Sequence, residues 1–284
     1  MAGPGAEDMV RRKGETGPVG GEGVQEELAR IVRTAGKELL SLRKKGGTGG
    51  AWEGTQYKSP ADRIADSLIR EGLAALDPRT PVVSEEEEGS WKLANPRRYF
   101  LVDPIDGTAS FAGGFPGFVT QVALMEGFRP VSAAICAPAL DLLYTAGVLE
   151  GAYLNSHRLR IEYPERWEIL IDNYPEPRGP ARDAFAELGF ARYVESGSIS
   201  LKICRVADGT ADVFFKPVPV KDWDLAPAHL VLGEAGGVLR DVAGNEVEYG
   251  KGAGHPGIVA AKSIAHAERI ISWYTEKERG GGKR

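Results

Sequence analysis

The sequence has very little cysteine, and the spacing of the two cysteines that it has excludes several kinds of site. Cys136 and Cys204 lie far apart, and neither belongs to a Cys-x-x-Cys pair or lies beside a histidine. Such residues cannot supply a disulfide framework or a thiolate zinc site. Both cysteines are therefore expected to be small residues of the core.

Long apolar runs and an excess of positive charge are also missing. No stretch approaches the roughly 20 apolar residues that span a bilayer, and the N-terminus has no signal-peptide hydrophobic region. The formal net charge is -5, whereas binding to a nucleic-acid backbone needs clustered Lys and Arg. We expect a cytoplasmic protein that binds neither a membrane nor nucleic acid.

The composition predicts an ordinary globular fold of two lobes. Of the 284 residues, 42% are apolar and 26% are charged, which is typical of a soluble globular protein. Residues 1–23 are rich in Gly, Pro and charge and are expected to be disordered. We place an N-terminal lobe at 24–150, a C-terminal α/β lobe at 151–275 and a polar tail at 276–284.

Helical and strand-like patterns alternate along these lobes. Apolar residues recur at helical spacing over 24–40, and Ser59 followed by Pro60 marks the start of a second helix. The apolar runs within 118–155 are separated by Gly and Pro turns and predict an antiparallel sheet with two helices beside it. Beyond residue 155, strand-like and helix-like pieces alternate as in a mixed α/β lobe.

The stretch DPIDGTASF follows a strand-like run and contains two carboxylates three residues apart. Pro104 fixes its own φ and biases Asp103 toward an extended conformation, so Asp103 is expected at the very end of the strand. A tight turn then brings Asp106 and the Ile105 carbonyl beside Asp103. These are hard oxygen ligands of the kind that Mg²⁺ prefers.

The two residues after these acids add a place for an anion. Gly107 permits a close backbone approach, and Thr108 can start a short helix whose free N–H groups face a phosphate. The spacing does not match an EF-hand loop, and the chain contains no Walker A loop. An Asp-rich surface turn is the simplest alternative. Such a turn does not require all six residues of DPIDGT, each of which fits a metal and phosphate site at the end of a strand.

Three stretches together resemble the inositol monophosphatase family, the Mg²⁺-dependent, lithium-sensitive sugar-phosphate phosphatases. They are DPIDGTASF, the upstream SEEEE and the downstream WDLAPAHLVLGEAGG, and the resemblance covers residues 24–275. It implies a layered αβαβα fold, a homodimer, and hydrolysis of a phosphomonoester with two or three Mg²⁺ ions. It also implies that the N-terminal lobe binds the metals and that the C-terminal lobe binds the substrate.

Matched residue by residue, the resemblance implies a metal site built from three segments of the chain. Asp62 and Thr108 match the pair that orients and deprotonates the attacking water. Glu85 is expected to be catalytic as well as a ligand, whereas Glu87 and Glu88 are expected to be solvated. The implied ligands are Glu85, Asp103, the Ile105 carbonyl, Asp106 and Asp224.

Two of these assignments have a competitor nearby in the sequence. Asp66 lies one helical turn from Asp62 and is an alternative water-orienting acid, although Asp62 is nearer the predicted start of the helix. Asp222 and Asp224 flank Trp223, and only one of them can belong to the metal site. We favour Asp224 because it immediately precedes a helical pattern, where it can also cap the helix.

The second lobe is expected to supply the substrate end of the pocket, together with Gly107 and Thr108. Ser198 lies in GSISLK, which resembles the strand-to-helix turn of the family, and it either binds a sugar hydroxyl or caps the helix. Lys216 stands where some inositol-specific relatives carry an acid, so it suits a second phosphate. Pro227 is predicted to fall in the first turn of its helix, where its missing N–H costs little.

These expectations combine into a Mg²⁺-dependent phosphomonoesterase that acts by direct attack of a metal-activated water. Its substrate is expected to be a small sugar phosphate, inositol 1-phosphate and/or fructose 1,6-bisphosphate. A 3′-phosphoadenosine 5′-phosphate phosphatase is the alternative within the same chemistry, and a catalytically silent protein that binds Mg²⁺ or a sugar phosphate is the alternative from another class. The Gly-rich loop at 45–57 fits either a mobile lid or plain disorder.

Overall fold

The computed structural model describes residues 23–53, 56–92, 97–162, 168–250 and 254–281. The tail that the sequence predicts to be disordered lies outside these ranges, apart from Gly23. The helices are α1 Val24–Lys44, α2 Pro60–Leu76, α3 Thr108–Ala112, α4 Gly179–Leu188, α5 Ile199–Ala207, α6 Asp222–Glu234 and α7 Ile264–Gly281. The strands are β1 Ala51–Glu53, β2 Gln56–Lys58, β3 Val82–Ser84, β4 Arg98–Asp106, β5 Val119–Glu126, β6 Arg129–Ala137, β7 Leu142–Gly147, β8 Gly151–Leu154, β9 His157–Arg158, β10 Ile169–Asp172, β11 Arg192–Glu195, β12 Val213–Lys216, β13 Val238–Asp241 and β14 Ile258–Ala261.

The strands form two sheets and one hairpin. The large sheet has the order β3-β4-β5-β6-β7-β8-β9, in which β3 is parallel to β4 and the other pairs are antiparallel. The small sheet has the order β11-β10-β12-β14-β13, with β10 parallel to both neighbours and β14 antiparallel to both of its own. β1 and β2 pair antiparallel and overlap the Gly-rich loop at 45–57, for which the sequence leaves a lid and disorder open.

Helices and sheets alternate in five layers. α1 and α2 cover one face of the large sheet, and α5 and α6 fill the space between its other face and the small sheet. α4 and α7 cover the outer face of the small sheet. Each sheet is therefore buried on both faces, which explains why its strands are apolar along their length. The predicted αβαβα layering is confirmed.

The start of α2 follows from the chemistry of two residues that the sequence marks. The Ser59 hydroxyl accepts a hydrogen bond from the Ala61 N–H at 3.3 Å, which satisfies one of the free donors of the first turn. Pro60 occupies the first helical position, where an N–H would have no helical partner. The predicted cap is therefore confirmed, and it fixes the position of the residues that follow it.

The large sheet continues past residue 150, where the sequence predicts the division between the lobes. β8 and β9 extend the large sheet to Arg158, past the predicted division at residue 150. Gly151 adopts a φ of 93° and begins a strand that returns antiparallel to β7. The small sheet begins at Ile169. Gly147 and Gly151 are therefore paired across a hairpin of the large sheet, and the predicted division at 150 falls inside that hairpin.

The predicted polar tail at 276–284 is helical as far as the structure describes it. α7 continues to Gly281 because its charged end packs against α4. The Lys277 ammonium group donates to Asp183 at 2.8 Å and to Glu187 at 2.7 Å. None of the described helices combines the length and the apolar character needed to cross a membrane.

Helix α6 also begins earlier than the pattern predicts. It starts at Asp222, so Pro227 is its sixth residue and lies inside the helix, not in the first turn. Because Pro227 has no N–H, the Trp223 carbonyl four residues earlier lacks its helical hydrogen bond. The side chain of Gln121, on β5, donates to this carbonyl at 3.0 Å.

Candidate active site

The DPID segment lies within strand β4, and not in a turn beyond it. β4 continues to Asp106, and its pairing with β5 is irregular between Asp103 and Asp106. Residues three apart in a regular strand point to opposite faces, so a bulge is needed to bring both carboxylates to one side. The prediction that Asp103 ends the strand at a tight turn is therefore wrong, because β4 continues to Asp106. A bulge, and not a turn, brings the two carboxylates together.

Three carboxylates converge at this bulge. One oxygen from each of Asp103, Asp106 and Asp224 lies within 4.8 Å of the others. Burial, with repulsion from Glu85 and Asp106, raises the pKa of Asp103 well above its ordinary value. Burial and the charge of Asp106 likewise raise the pKa of Asp224 to about 7. Negative charges this close are costly to bury without a cation.

Glu85 directly follows β3 and lies within electrostatic range of the same cluster. Its N–H donates to the Val102 carbonyl at 3.2 Å, which continues the parallel pairing of β3 with β4. Burial raises the pKa of Glu85 to about 8, and the charges of Asp224 and Glu86 add to the effect. The parallel pairing therefore explains why an acid at the end of β3 meets the acids of β4.

The rest of the acidic run divides into one residue that belongs to the site and two that do not. Glu86 is half-buried, and its charge contributes to the raised pKa values of Glu85 and Asp62, each of which is raised first by burial. Glu87 and Glu88 are exposed, as expected. The sequence patterns did not single out Glu86, although its position beside Glu85 was the available signal.

Asp62 and Thr108 meet beside the cluster. The Thr108 hydroxyl lies 3.1 Å from Asp62 Oδ1 and 2.9 Å from the Ile105 carbonyl oxygen. Asp62 Oδ2 accepts a hydrogen bond from the Ser59 N–H at 2.9 Å, so the cap of α2 also orients this carboxylate. Burial raises the pKa of Asp62 to about 7. A carboxylate with this pKa can accept and release a proton near neutral pH.

The competitor Asp66 has a different set of partners. Its Oδ1 accepts a hydrogen bond from the Ser84 hydroxyl at 2.6 Å, and its Oδ2 accepts one from Arg70 Nε at 2.7 Å. These contacts tie α2 to β3. The contact between Asp62 and Thr108 therefore supports the choice of Asp62 as the water-orienting acid.

The N-terminus of α5 holds Asp106 from the other sheet. The Ser198 hydroxyl donates to Asp106 Oδ2 at 2.5 Å, and the Ser200 N–H donates to the same oxygen at 2.8 Å. Ser198 Oγ also accepts a hydrogen bond from the Leu201 N–H at 2.9 Å. Of the two roles considered for Ser198, the structure shows the helix cap. Its binding of a sugar hydroxyl stays a prediction.

Asp224 and Asp222 have different hydrogen-bond partners, which distinguish their roles. Asp224 is the third residue of α6 and not its N-cap, and its Oδ2 accepts a hydrogen bond from the Lys221 N–H at 2.8 Å. Asp222 lies 2.7 Å from His255 Nε2 and accepts a hydrogen bond from the Gly250 N–H at 2.8 Å. Asp222 therefore holds the start of α6 in place, whereas Asp224 joins the carboxylate cluster.

The chemistry of this donor set fits a hard divalent cation. The converging side chains are carboxylates, and within the described ranges no basic side chain forms an ion pair with Asp103, Asp106 or Asp224. Buried negative charge without a neutralising partner favours an ion such as Mg²⁺, whose preferred ligands are oxygens.

The comparison with protein families agrees with this geometry. The sequence model of the inositol monophosphatase family matches residues 22–277. The chain belongs to the inositol monophosphatase family. The resemblance carried by DPIDGTASF is thereby confirmed, and it identifies the chain as a phosphatase, a phosphoric monoester hydrolase.

The relatives of this inositol monophosphatase family member include proteins with different names. A 3′(2′),5′-bisphosphate nucleotidase CysQ from Salmonella typhimurium is 31% identical over 232 residues, which are 79% of this chain and 93% of that protein. A fructose-1,6-bisphosphatase/inositol-1-monophosphatase from Aquifex aeolicus is 30% identical over 234 residues, 75% and 83% of the two chains. The crystal structure of the extragenic suppressor protein suhB from Bartonella henselae has a TM-score of 0.75 at 26% identity and covers 87% of this chain and 98% of its own.

Lys202 is a buried cation within electrostatic range of Asp106 that the sequence patterns do not single out. It lies fully buried on α5, and its Nζ donates to Asn173 Oδ1 and to the Gly197 carbonyl, the latter at 3.0 Å. The ammonium group also lies 4.9 Å from the ring centroid of Phe214. Burial and the charge of Lys216 lower the pKa of Lys202 to about 7. The available signal was a lysine with apolar residues on both sides, Leu201 and Ile203.

Proposed function

We propose that the chain is a Mg²⁺-dependent phosphomonoesterase whose substrate carries a second phosphate, and that this substrate is a nucleoside 3′(2′),5′-bisphosphate. The observation that carries the proposal is the pair of lysines, Lys202 and Lys216, beside the carboxylate cluster. Lys216 ends β12, and its positive charge acts on both Lys202 and Asp224. The two lysines therefore lie within electrostatic reach of each other and of the acids.

Two neighbouring cations are as costly to bury as two neighbouring anions. Lys202 donates to neutral oxygens of Asn173 and Gly197, and no carboxylate accepts a hydrogen bond from it within the described part of the chain, although the charges of Asp172 and Asp106 act on it. A phosphate group that contacts the half-buried Lys216 supplies an anionic partner through charge-assisted hydrogen bonds, whereas the fully buried Lys202 acts on that phosphate only through its charge. A substrate with a single phosphate, placed at the carboxylate cluster, leaves Lys216 without such a partner. The lysine pair therefore favours a bisphosphate.

The relatives support two classes of bisphosphate. The 3′(2′),5′-bisphosphate nucleotidase of Salmonella typhimurium supports a nucleotide, and it matches 93% of its own length to this chain. The fructose-1,6-bisphosphatase/inositol-1-monophosphatase of Aquifex aeolicus supports a sugar bisphosphate as the second candidate. This order reverses the expectation drawn from the sequence, in which the sugar phosphates came first.

The residues of the cluster define how the reaction proceeds. Glu85, Asp103, the Ile105 carbonyl, Asp106 and Asp224 would hold two or three Mg²⁺ ions. When bound, these ions neutralise the carboxylates, polarise the phosphoryl oxygens and make a water molecule more acidic.

The chain's own groups handle the water and its proton. Thr108 and Asp62 orient the attacking water, and the Asp62 carboxylate takes its proton as the new phosphorus–oxygen bond forms. The bond from phosphorus to the leaving oxygen breaks, the leaving oxygen takes a proton from solvent water, and Asp62 returns its proton to solvent, so the products are inorganic phosphate and the alcohol. Gly107 has no side chain, so the phosphate can approach the backbone there.

Phosphate release from three substrates tests the proposal. We expect release from adenosine 3′,5′-bisphosphate to exceed release from fructose 1,6-bisphosphate and from inositol 1-phosphate, and EDTA to abolish all three. Lys216→Met is expected to raise KM for the bisphosphates and to leave inositol 1-phosphate nearly unchanged. Lys221→Met is the matched control, because Lys221 is exposed and its charge also acts on Asp224. Equal effects of both variants on all substrates would contradict the role of Lys216.

The alternative of a catalytically silent binding protein predicts a different result. It allows Mg²⁺ binding without phosphate release from any of the three substrates. Asp103→Asn removes one buried carboxylate from the cluster and should abolish hydrolysis if the enzyme reading is correct. Unimpaired hydrolysis by this variant would exclude the metal site as drawn. The homodimer and the cytoplasmic location stay predictions, and light scattering of the purified chain tests the first.

A further inference from the structure

The carboxylate of Asp103 has a partner from outside its own strand. Gln121, on β5, stands directly opposite Asp103 in the antiparallel register with β4. Its side chain is fully buried, and its Nε2 lies 3.4 Å from Asp103 Oδ2 and 3.0 Å from the Trp223 carbonyl oxygen. A primary amide carries two hydrogens on its nitrogen, so one group can serve both acceptors.

We propose that Gln121 is a positioning residue of the metal site, which fixes the carboxylate of Asp103 and ties it to helix α6, the helix that carries Asp224. This inference rests on the proposed metal site. Asp103 Oδ1 accepts a hydrogen bond from the Ile105 N–H at 3.1 Å, within the bulge itself. Gln121 restrains the other oxygen, so the carboxylate is held at both ends.

Pro227 leaves the Trp223 carbonyl of α6 free to accept the hydrogen bond from Gln121. In a regular helix the N–H of residue 227 would donate to the Trp223 carbonyl, but proline has none. The carbonyl is therefore open to a donor from outside the helix, and Gln121 supplies it. The departure from a regular helix thus sets the distance between the strand that carries Asp103 and the helix that carries Asp224.

The side-chain oxygen of Gln121 argues against a role for this residue in packing alone. Gln121 Oε1 is buried and has no hydrogen-bond partner within the described part of the chain. An apolar side chain of similar size would fill the same space without burying an unpaired oxygen. The amide is therefore explained by its two donor contacts, and a partner that orients a metal ligand commonly governs the affinity of the site.

Gln121→Met tests the proposal, because methionine keeps the length of the side chain and removes both donors. Thr120→Val is the matched control, since Thr120 is the adjacent buried residue and its hydroxyl has no partner among the described residues. Calorimetric titration of the metal-free protein with Mn²⁺ measures the affinity directly. We expect roughly 10-fold weaker binding for Gln121→Met and unchanged binding for Thr120→Val.

Restoring the N–H of residue 227 separates the effect of Gln121 on metal affinity from its effect on stability. In the Pro227→Ala background the new N–H can donate to the Trp223 carbonyl, so Gln121→Met should cost less thermal stability there. The loss of metal affinity should persist, because the contact with Asp103 is still missing. The Mg²⁺ concentration for half-maximal activity should rise in parallel, and Gln121→Asn, which keeps a shorter amide, should recover part of the affinity.

The outcomes distinguish this inference from the proposed function. If the unaltered protein binds Mn²⁺ and Gln121→Met binds it equally well in both backgrounds, the positioning role is overturned and the proposed function stands. If the unaltered protein binds no divalent cation, the proposed metal site is overturned together with this inference. A lower melting temperature with unchanged Mn²⁺ affinity also overturns it, because that result describes a purely structural residue.

Discussion

The Ser198 hydroxyl donates a 2.5 Å hydrogen bond to Asp106 Oδ2, and this bond joins residues that are 92 positions apart in the chain. Ser198 is the N-cap of α5, and Asp106 is the last residue of β4 in the large sheet. One serine therefore completes a helix of the middle layer and orients a carboxylate of the metal cluster. The start of α5 and the geometry of the site cannot be changed independently.

Ser198→Ala is expected to weaken both roles. The loss of the cap should lower the free energy of unfolding by about 1 kcal/mol, and the loss of the bond to Asp106 should weaken Mg²⁺-dependent activity by roughly 10-fold or more. Ser132→Ala is the control, because Ser132 is also buried and its hydroxyl has no partner in the described ranges. Equal activity of the two variants would contradict the orienting role.

Substitution of Asp62 and Asp66 should separate catalysis from stability. Asp62→Asn removes the group that contacts Thr108, so kcat should fall by roughly 100-fold or more. Asp66→Asn weakens the contacts to Ser84 and Arg70, which should cost about 1–3 kcal/mol of stability and leave kcat nearly unchanged. Steady-state kinetics with thermal unfolding of both variants makes the comparison. The reverse pattern would show that Asp66 is the water-orienting acid.

The layers of the fold could be predicted from the sequence because local signals mark them. Ser59 and Pro60 announce the start of α2, and the resemblance supplies the order of the layers. The errors lie where tertiary contacts override local patterns. The predicted lobe boundary at residue 150 falls between two paired strands of one sheet, and the charged end of α7 is helical because Lys277 binds α4.

The residues of the candidate site also divide into those that the sequence reveals and those that only the folded structure reveals. Carboxylates in a distinctive motif, such as Asp103 and Asp106, could be found from spacing alone. Gln121 and Lys202 could not, because their roles depend on which strand or helix faces them after folding. A buried amide or a buried lysine has no motif of its own. Only the register between β4 and β5 shows that Gln121 stands opposite Asp103.

Stability of the metal-free protein should fall as the pH rises. Burial raises the pKa of Asp62 to about 7 and, with neighbouring charges, that of Glu85 to about 8. Both groups bind protons more tightly in the folded state than in the unfolded state, so the free energy of unfolding decreases between about pH 4 and about pH 8.

Thermal unfolding in EDTA measures this dependence. We expect a lower melting temperature at about pH 8 than at about pH 5, and a larger gain from added Mg²⁺ at the higher pH. The gain should grow because the carboxylates are then ionised and repel one another until a cation neutralises them. A melting temperature in EDTA that stays constant or rises over this range would contradict the raised pKa values.

Gly107→Ala should damage the site as well as the backbone. Gly107 has a φ of 88°, and a Cβ there would lie 3.3 Å from the Gly117 carbonyl oxygen and 3.4 Å from the Ser198 nitrogen. Gly209→Ala is the matched control, because Gly209 has a φ of 84° and open space around the same position. Both variants should lose about 1–2 kcal/mol of stability from the left-handed conformation. Only Gly107→Ala should also lose activity, because it presses on the segment that carries Ser198 and thereby moves Asp106. Equal activity of the two variants, measured by phosphate release, would show that this close approach is not needed for the reaction.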